Sequence, residues 1–256
     1  MTPHTVKTAL VTGAAHRIGR AIAIDLAAQG WAVGVHYRDS RAEAEAVVAM
    51  ITAAGGRAVA IAADLAQERE VTTLIARTGD ALGPLTALVN NASRFEYDNV
   101  TTADRASWDA HLEINVRAPL VLTQAFARQL PDDQSGAVVN ILDQRVWNLT
   151  PHFLSYTVSK SALWTLTQTL ALALAPRIRV NAIGPGPTLP SARQSAEHFE
   201  RQWQSLPLSR PTNVHDICDG VRFLLAAQAM TGQMIALDGG EHLAWAQPKQ
   251  GLVPSE

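Results

Sequence analysis

The sequence predicts an α/β fold: a single doubly wound domain in which a seven-stranded parallel sheet carries helices on both faces. Two observations lead to this prediction. Short β-branched runs alternate with helical stretches along the chain, and 256 residues are enough for one well-buried domain of this kind. Hydrophobic residues make up 47% and charged residues 17%, a balance typical of globular proteins. No repeat or linker divides the sequence, so we expect one domain over residues 1–256.

Each predicted strand is a short apolar run bounded by Gly, Pro, Asn or Asp. The seven runs are Thr8–Thr12, Ala32–His36, Ala58–Ala62, Ala87–Val89, Ala137–Ile141, Arg179–Ala182 and Met234–Leu237. Between most of them, apolar residues recur three and four positions apart, which indicates helices. These stretches include Arg20–Gln29, Arg41–Ala54, Glu68–Leu82, Trp108–Gln129 and Ser155–Ala175. In such sheets ligands bind beyond the carboxyl ends of the strands, where we expect the functional residues.

Two stretches interrupt the alternation, and both follow strands. They are Gln144–Leu154 and Gly184–Asn213, the second of which contains five Pro residues. Loops longer than about 12–15 residues in compact domains are usually functional. We therefore predict a substrate wall and, at about residues 184–213, a substrate lid; ordinary surface irregularity is the alternative.

Composition excludes several classes of function. The net charge is -2 and no run of Lys or Arg is present, so the chain has no positive electrostatic field that would bind the phosphate backbone of a nucleic acid. The single Cys218 cannot form an internal disulfide, and we expect no signal peptide before the first strand. The apolar tract Leu163–Ala175 is too short and too polar to span a membrane. We expect a cytoplasmic protein without a metal site that acts on a small molecule.

The first predicted strand leads into a glycine-containing turn, residues 12–19, and then into a helix. Gly13 permits a tight turn, and Gly19 lets the helix approach the strand. The free N–H groups where the helix begins, near Ile18, can face a pyrophosphate. This pattern predicts a Rossmann-type dinucleotide site. Arg17 replaces the usual central Gly, and its guanidinium suits the extra phosphate at the 2′ position of NADP.

The end of the second strand gives a separate indication of the cofactor. An NAD-specific site places a carboxylate there, whereas this strand ends in His36, Tyr37 and Arg38, followed after one residue by Ser40. Arg38 and Ser40 can donate hydrogen bonds to a phosphate, so we predict NADP(H). NAD is the alternative if Asp39 folds back onto the ribose.

Asp64 and Leu65 close the third strand at the same edge of the sheet. Asp64 is placed to bind the adenine amine of the cofactor. The alternative is that Asp64 is the N-cap of a helix that begins at Leu65.

The most specific pattern is Tyr156 followed four residues later by Lys160 in a long apolar helix. Residues four apart share a helix face, so the ammonium lies beside the phenol and lowers its pKa. Other features support this pair: Asn90-Asn91-Ala92-Ser93 closes the fourth strand, Asn115 lies within a helix, and Pro185-Gly186 follows the sixth strand.

Together these motifs resemble the short-chain dehydrogenase/reductase family, and the resemblance runs from Ala9 to about Gly240. It implies that Tyr156 is the proton donor, that Lys160 binds the nicotinamide ribose, and that Asn115 holds a water in a proton relay. It also implies that Asn91, Ala92, Pro185 and Gly186 contact the cofactor. A homotetramer is implied by the resemblance alone.

One residue departs from the general pattern of that family. A Ser about 13 residues before the Tyr usually donates to the substrate carbonyl, whereas this sequence has Asp143 there. An ionised carboxylate cannot donate. Asp143 is therefore either protonated or suited to a different reaction, such as protonation of a ring nitrogen while hydride reaches the neighbouring carbon. A C=N substrate fits this residue better than a ketone.

This substitution is similar to the one seen in the pteridine reductase branch of the family, which includes dihydromonapterin reductases. The loop from Gly13 to Gly19 and the stretch from Asn91 to Phe95 also resemble that branch. The resemblance implies that Arg17 and Phe95 contact a pterin, with the ring of Phe95 stacked on one face. Ser93 adds a hydroxyl group to the same predicted pterin site. The alternative for Phe95 is a plain core residue.

We therefore expect an NADPH-dependent reductase that transfers hydride to a C=N bond of a pteridine, with Tyr156 and Asp143 supplying the proton. The alternatives are a short-chain reductase of carbonyl compounds and a catalytically silent cofactor-binding sensor. Arg145, Trp147 and Trp203 are either pocket residues or subunit contacts.

Overall fold

The computed structural model describes residues 7–191 and 194–243. Seven strands form one parallel sheet in the order β3-β2-β1-β4-β5-β6-β7, which confirms the predicted fold class. The strands are β1 (Thr8–Val11), β2 (Ala32–Tyr37), β3 (Arg57–Ala62), β4 (Ala87–Asn90), β5 (Gly136–Ile141), β6 (Ile178–Pro185) and β7 (Met234–Leu237). The order reverses between β1 and β4, which creates a crevice at their carboxyl ends, the usual ligand site in such sheets.

The helices are α1 (Arg17–Ala28), α2 (Arg41–Ala53), α3 (Glu68–Leu82), α4 (Arg105–Leu112), α5 (Ala118–Gln129), α6 (Leu154–Leu174), α7 (Ala196–Gln204) and α8 (Val214–Ala226). A π-helical turn, Glu113–Arg117, joins α4 to α5, and short 3₁₀ turns lie at Gln144–Val146 and Glu241–Leu243. No helix of the described chain is long and apolar enough to cross a membrane.

Side-chain alternation along the strands divides the core into two layers. Ala9 and Val11 of β1 join a cluster with residues of α1, α2 and α8, whereas Leu10 between them joins a cluster with residues of α3 and α5. Successive side chains of a strand point to opposite faces, so each layer covers one face of the sheet. Burial on both faces explains why these strands read as continuous apolar runs.

The structure differs from the sequence-based boundaries in three places near the crevice. The first helix begins at Arg17, three residues before the predicted start, and β6 extends to Pro185. The predicted helix Trp108–Gln129 is interrupted by the π-helical turn, which periodicity alone cannot reveal. The predicted lid contains α7, and residues 192 and 193 of that lid lie outside the described residues.

Candidate active site

Gly13 turns the chain out of β1 with a φ of +62°, a conformation that favours glycine. Its N–H donates to Nδ1 of His36 at 3.0 Å, and Nε2 of His36 donates to the carbonyl oxygen of Ala63 at 3.0 Å. These partners require a neutral imidazole with its proton on Nε2. Burial lowers the pKa of His36 to about 4, so the ring is neutral. It supports the glycine loop and also lines the cleft at the end of β2.

Gly19 allows α1 to pack against the loop. A Cβ atom at this position would lie 2.3 Å from the carbonyl oxygen of Gly13 and 2.4 Å from Nδ2 of Asn91. Asn91 Nδ2 itself donates to the Thr12 carbonyl at 2.9 Å, and Thr12 Oγ1 accepts the N–H groups of Asn91 and Ala92. The end of β4 thus holds the glycine turn in place.

The first turn of α1 suits an anion. No acidic residue lies there, and the N-cap residue His16 makes no side-chain capping bond. The first N–H groups of a helix have no partner within the helix, and those of α1 begin at the edge of the crevice. This arrangement fits a dinucleotide pyrophosphate.

A second cleft lies at the end of β2. Among the residues that line it are Tyr37, Arg38, Ser40, Asp64 and Leu65. Arg38 Nε donates to Asp39 Oδ2 at 2.5 Å on the exposed rim, and Ser40 makes no side-chain bond to the helix that it precedes. Asp64 Oδ1 accepts the N–H of Ala66.

The structure settles one alternative for Asp64. Helix α3 begins at Glu68, with Gln67 as its N-cap residue, so the interpretation of Asp64 as the cap of a helix from Leu65 is wrong. The Asp64 carboxylate instead closes a short turn, and both Asp64 and Leu65 line the cleft where an adenosine is expected.

Tyr156 and Asp143 meet at the centre of the crevice. The Tyr156 hydroxyl donates to Asp143 Oδ2 at 2.9 Å, while Asp143 Oδ1 accepts the N–H of Arg145 at 2.8 Å. The second bond fixes the carboxylate at the start of the 3₁₀ turn. The sequence spacing of 13 residues therefore does bring an acidic group to the phenol.

Lys160 lies one helical turn beyond Tyr156 and is buried. Its Nζ donates to the Ile141 carbonyl at 2.9 Å and lies 5.8 Å from the centroid of the Tyr156 ring. Burial lowers the pKa of Lys160 to about 8, and the negative charge of Asp143 partly opposes this shift. The ammonium is therefore held on the same side of the helix as the phenol, as predicted from the i, i+4 spacing.

Asn115 sits in the π-helical turn and is fully buried. Its Nδ2 donates to Ser159 Oγ at 2.9 Å and to the Arg94 carbonyl at 3.0 Å, and its Oδ1 accepts from the Arg94 N–H and from Ser93 Oγ. The side chain thus ties the loop after β4 to α6. Ser93 lines the crevice beside it.

Phe95 forms an aromatic wall next to Tyr156. Its ring stacks on Phe153 at 4.6 Å with an interplanar angle of 9° and meets Tyr156 edge to face at 4.7 Å. The Arg145 guanidinium lies 4.9 Å from the Phe153 centroid. Phe95 is only partly buried and lines the crevice, so it is more than a core residue.

The Arg17 side chain points to the predicted lid and not to the cleft at the end of β2, where a clamp of the 2′-phosphate would lie. Its guanidinium donates to the lid carbonyls of Pro190 and Leu189 at 2.8 and 3.1 Å. Arg17 lines the crevice of Tyr156 and is absent from the residues that line the cleft at the end of β2. This arrangement corrects its prediction as the clamp of a 2′-phosphate, because the side chain points to the lid; a substrate contact fits the geometry.

The crevice has a volume of about 460 Å³, a size typical of small-molecule sites. Pro185 and Gly186 form its wall at the end of β6, where a Cβ at Gly186 would lie 2.6 Å from the Asp238 Cα. Arg145 also lines it. Trp147 packs edge to face on Trp164 and His242, and neither Trp147 nor Trp203 is part of the lining.

Sequence reasoning missed a buried cluster behind the aromatic wall. Asp98 accepts the Ser155 N–H at 3.0 Å and also accepts the Ser155 and Ser107 hydroxyls. His111 Nδ1 lies 2.7 Å from Ser155 Oγ, and its Nε2 accepts the Glu96 N–H. Asp98 accepts N–H groups from the first turn of α6, immediately before Tyr156, and no motif in the sequence singles it out.

Burial by itself raises the pKa of Asp98, but the hydrogen bonds from Ser155 and Ser107, together with His111, lower the pKa overall. Burial lowers the pKa of His111. The cluster therefore holds one carboxylate and one neutral imidazole, in a position with little solvent access.

Comparisons with known proteins agree with this geometry. Residues 7–201 match the family model described as short chain dehydrogenase. A 3-oxoacyl-[acyl-carrier-protein] reductase of Synechocystis is 34% identical over 94% of this chain and 98% of its own length. The crystal structure of FolM alternative dihydrofolate reductase 1 from Brucella canis, complexed with NADP, is 51% identical. It covers 95% of this chain and 97% of its own, with a TM-score of 0.92.

A short chain dehydrogenase from Burkholderia cenocepacia in complex with NADP is 36% identical, with a TM-score of 0.85. It covers 91% of this chain and 97% of its own.

Proposed function

The chain belongs to the short-chain dehydrogenase family, and on that premise we propose that it is an NADPH-dependent reductase that transfers hydride to a C=N bond of a pteridine. The observation that carries this proposal is the bond from the Tyr156 hydroxyl to Asp143. A ring nitrogen needs a proton when the neighbouring carbon receives hydride, and a carboxyl beside a phenol can deliver that proton.

NADP(H) is the proposed cofactor. The solved relatives from Brucella canis and Burkholderia cenocepacia were crystallised with NADP. In this chain, Arg38 and Ser40 line the cleft at the end of β2 and can donate to a 2′-phosphate. Asp39 pairs with Arg38, an arrangement that argues against its use as the ribose ligand of an NAD site. When bound, the reduced nicotinamide supplies the hydride.

Several uncharged groups and one carboxylate fit the other parts of the cofactor. Gly13, Gly19 and the first N–H groups of α1, from Arg17 and Ile18 onward, fit a pyrophosphate. Asp64 and Leu65 suit the adenosine, while Asn91, Ala92, Pro185 and Gly186 line the central crevice beside Lys160.

In the proposed reaction Tyr156 and Asp143 act as one proton-donating pair. Lys160 favours the phenolate through its charge, whereas an ionised Asp143 favours the protonated phenol by accepting its hydrogen bond. The pair thus holds a proton within reach of the substrate nitrogen. Asn115 fixes the loop that carries Ser93 and Phe95. The resemblance to the family implies that it also holds a water molecule of a proton relay.

The aromatic wall supports a flat substrate. A heterocycle that stacks on a side-chain ring gains roughly 1–3 kcal/mol, as nucleic acid bases do. Phe95 lies against Tyr156, so a ring stacked at this wall is near the proton donor. Arg17 and Ser93 offer hydrogen bonds along the same crevice.

A carbonyl reductase is the second candidate, because the Synechocystis relative is a 3-oxoacyl-[acyl-carrier-protein] reductase. In that reaction, Asp143 must be protonated to donate to the carbonyl.

We also propose a homotetramer. Two exposed apolar side chains that do not line the crevice, Leu172 of α6 and Phe223 of α8, are 83% and 52% exposed. They are available for a subunit contact, and the number of subunits rests on the resemblance to the family.

The deciding experiment follows NADPH absorbance with a dihydropterin and, in parallel, with a panel of ketones and aldehydes. We expect oxidation of NADPH with the dihydropterin. Turnover of ketones, with neither reaction nor binding of pterins, would remove the pteridine proposal and leave the carbonyl reductase. No turnover with either class would favour a silent cofactor-binding protein.

A further inference from the structure

Gln144 is buried in the wall of the crevice. Its side chain is 4% exposed, and it lies between Asp143 and Arg145 in the 3₁₀ turn that follows β5. It is one of the residues that line the crevice together with Tyr156 and Phe95. Its backbone carbonyl accepts the Trp147 N–H, so the turn is closed by a main-chain bond and does not depend on the Gln144 side chain.

The side-chain oxygen of Gln144 has no hydrogen-bond partner among the described residues. Within the described chain, its Oε1 atom is fully buried and makes no hydrogen bond. Buried acceptors without partners are rare in native proteins and unfavourable. Gln144 lines the crevice, so a rotation of its side chain would present the carboxamide to a ligand that supplies the missing donor.

The chemistry of a carboxamide defines that ligand. It presents an acceptor and a donor side by side, which is the reason that Gln and Asn pair with the donor–acceptor edge of adenine. A cyclic amide or amidine edge satisfies both groups at once. The 2-amino-4-oxo ring of a pterin carries such edges, and a simple ketone does not.

We infer that Gln144 binds the amide edge of the pteridine ring and selects substrates that carry one. This inference rests on the proposed function, since it names how that substrate is held. Two neighbours favour the substrate over the cofactor as the source of the edge. Asp143 bonds to the proton donor Tyr156, and Arg145 lies over the aromatic rings at which a flat substrate would stack.

The test compares Gln144→Met, which keeps the length of the side chain but has neither donor nor strong acceptor, with wild type. We expect the KM for a dihydropterin to rise about tenfold, as for the loss of one or two buried hydrogen bonds. The kcat should change less, and the Kd for NADPH, measured by fluorescence, should stay within twofold. Retained NADPH binding also shows that the variant is folded.

Thr157→Val is the matched control. Thr157 Oγ1 is likewise buried without a partner in the described chain, but the residue does not line the crevice. The control should leave both the KM and the Kd unchanged. If Gln144→Met does not fold, Gln144→Glu keeps the shape and removes the donors, and the same rise in KM is expected.

Each other outcome is decisive. A KM within twofold of wild type overturns the inference while the proposed function stands. A rise in the NADPH Kd as large as that in the KM assigns the carboxamide to the cofactor and also overturns it. If wild type itself reduces no dihydropterin, the proposed function fails first, and this inference fails with it.

Discussion

The Tyr156 hydroxyl donates a 2.9 Å hydrogen bond to Asp143 Oδ2. In the general pattern of this family, a Ser at the position of Asp143 donates a hydrogen bond to the substrate carbonyl. Here the side chain at that position accepts a hydrogen bond from the tyrosine instead. The bond makes Tyr156 and Asp143 a coupled pair, so their protonation should be treated as a property of both groups.

Replacement of Asp143 by Ser should abolish most dihydropterin reduction. The hydroxyl can donate to a carbonyl but cannot replace an acid beside a ring nitrogen, and general acid catalysis contributes roughly 10²- to 10⁴-fold. We expect kcat for a dihydropterin to fall by at least about 10²-fold, measured from NADPH absorbance. The Kd for NADPH is the control and should be unchanged. Unchanged turnover would remove Asp143 from the chemistry.

The pH dependence of the reaction should report Lys160. Its pKa of about 8 in the folded protein means that the ammonium is present below pH 8 and is lost as the pH rises further. Loss of the charge also removes its effect on the Tyr156 pKa. We expect kcat/KM, which reflects the free enzyme, to fall as the pH rises above about 8. A profile that is flat to pH 10 would contradict this assignment.

His36 should make the fold sensitive to acid. Its pKa is about 4 in the folded chain, against about 6.5 for an ordinary histidine. The unfolded chain therefore binds more protons between these two values, and stability falls as the pH decreases. Between pH 7 and 5 this single group lowers the free energy of unfolding by about 2 kcal/mol. Urea denaturation of wild type and His36→Gln at both pH values measures the difference. A variant with the same pH dependence as wild type would contradict the role of His36.

Arg38→Ala should weaken NADPH selectively. The side chain lies at the end of β2 and can bind the 2′-phosphate that NADH lacks. We expect the KM for NADPH to rise about tenfold or more and that for NADH to change little, from a charged hydrogen bond worth roughly 1.5–3 kcal/mol. Arg41→Ala is the matched control, because Arg41 is exposed and pairs only with Glu45 in the described chain. Equal losses for both cofactors would exclude a 2′-phosphate contact.

Asp98→Asn should destabilise the start of α6 and reduce activity together. Asp98 accepts the Ser155 N–H and two hydroxyl groups in a buried place, and the amide cannot accept all three. We expect a loss of about 2 kcal/mol in the free energy of unfolding and a lower kcat. Asp109→Asn, which removes an exposed pair with Arg105, should cost less than about 1 kcal/mol. Equal losses of unfolding free energy in the two variants would show that the buried cluster stabilises α6 no more than an exposed ion pair does.

Periodicity and turn chemistry determined the sheet and most helix positions. The seven strands follow from short apolar runs bounded by turn residues, and Tyr156 and Lys160 share one helical face because four residues are little more than one turn. Gly13 and Gly19 were predictable for a similar local reason, since a positive φ and a close helix approach each require glycine.

Only the tertiary structure decided how distant segments meet. The direction of Arg17 depends on lid residues more than 170 positions away, and the π-helical turn at Asn115 has no signature in the spacing of apolar residues. The Asp98 cluster joins the loop after β4, helix α4 and helix α6. Local sequence encodes backbone conformation within a few residues, whereas these contacts depend on side chains that the sheet order and the loops bring together.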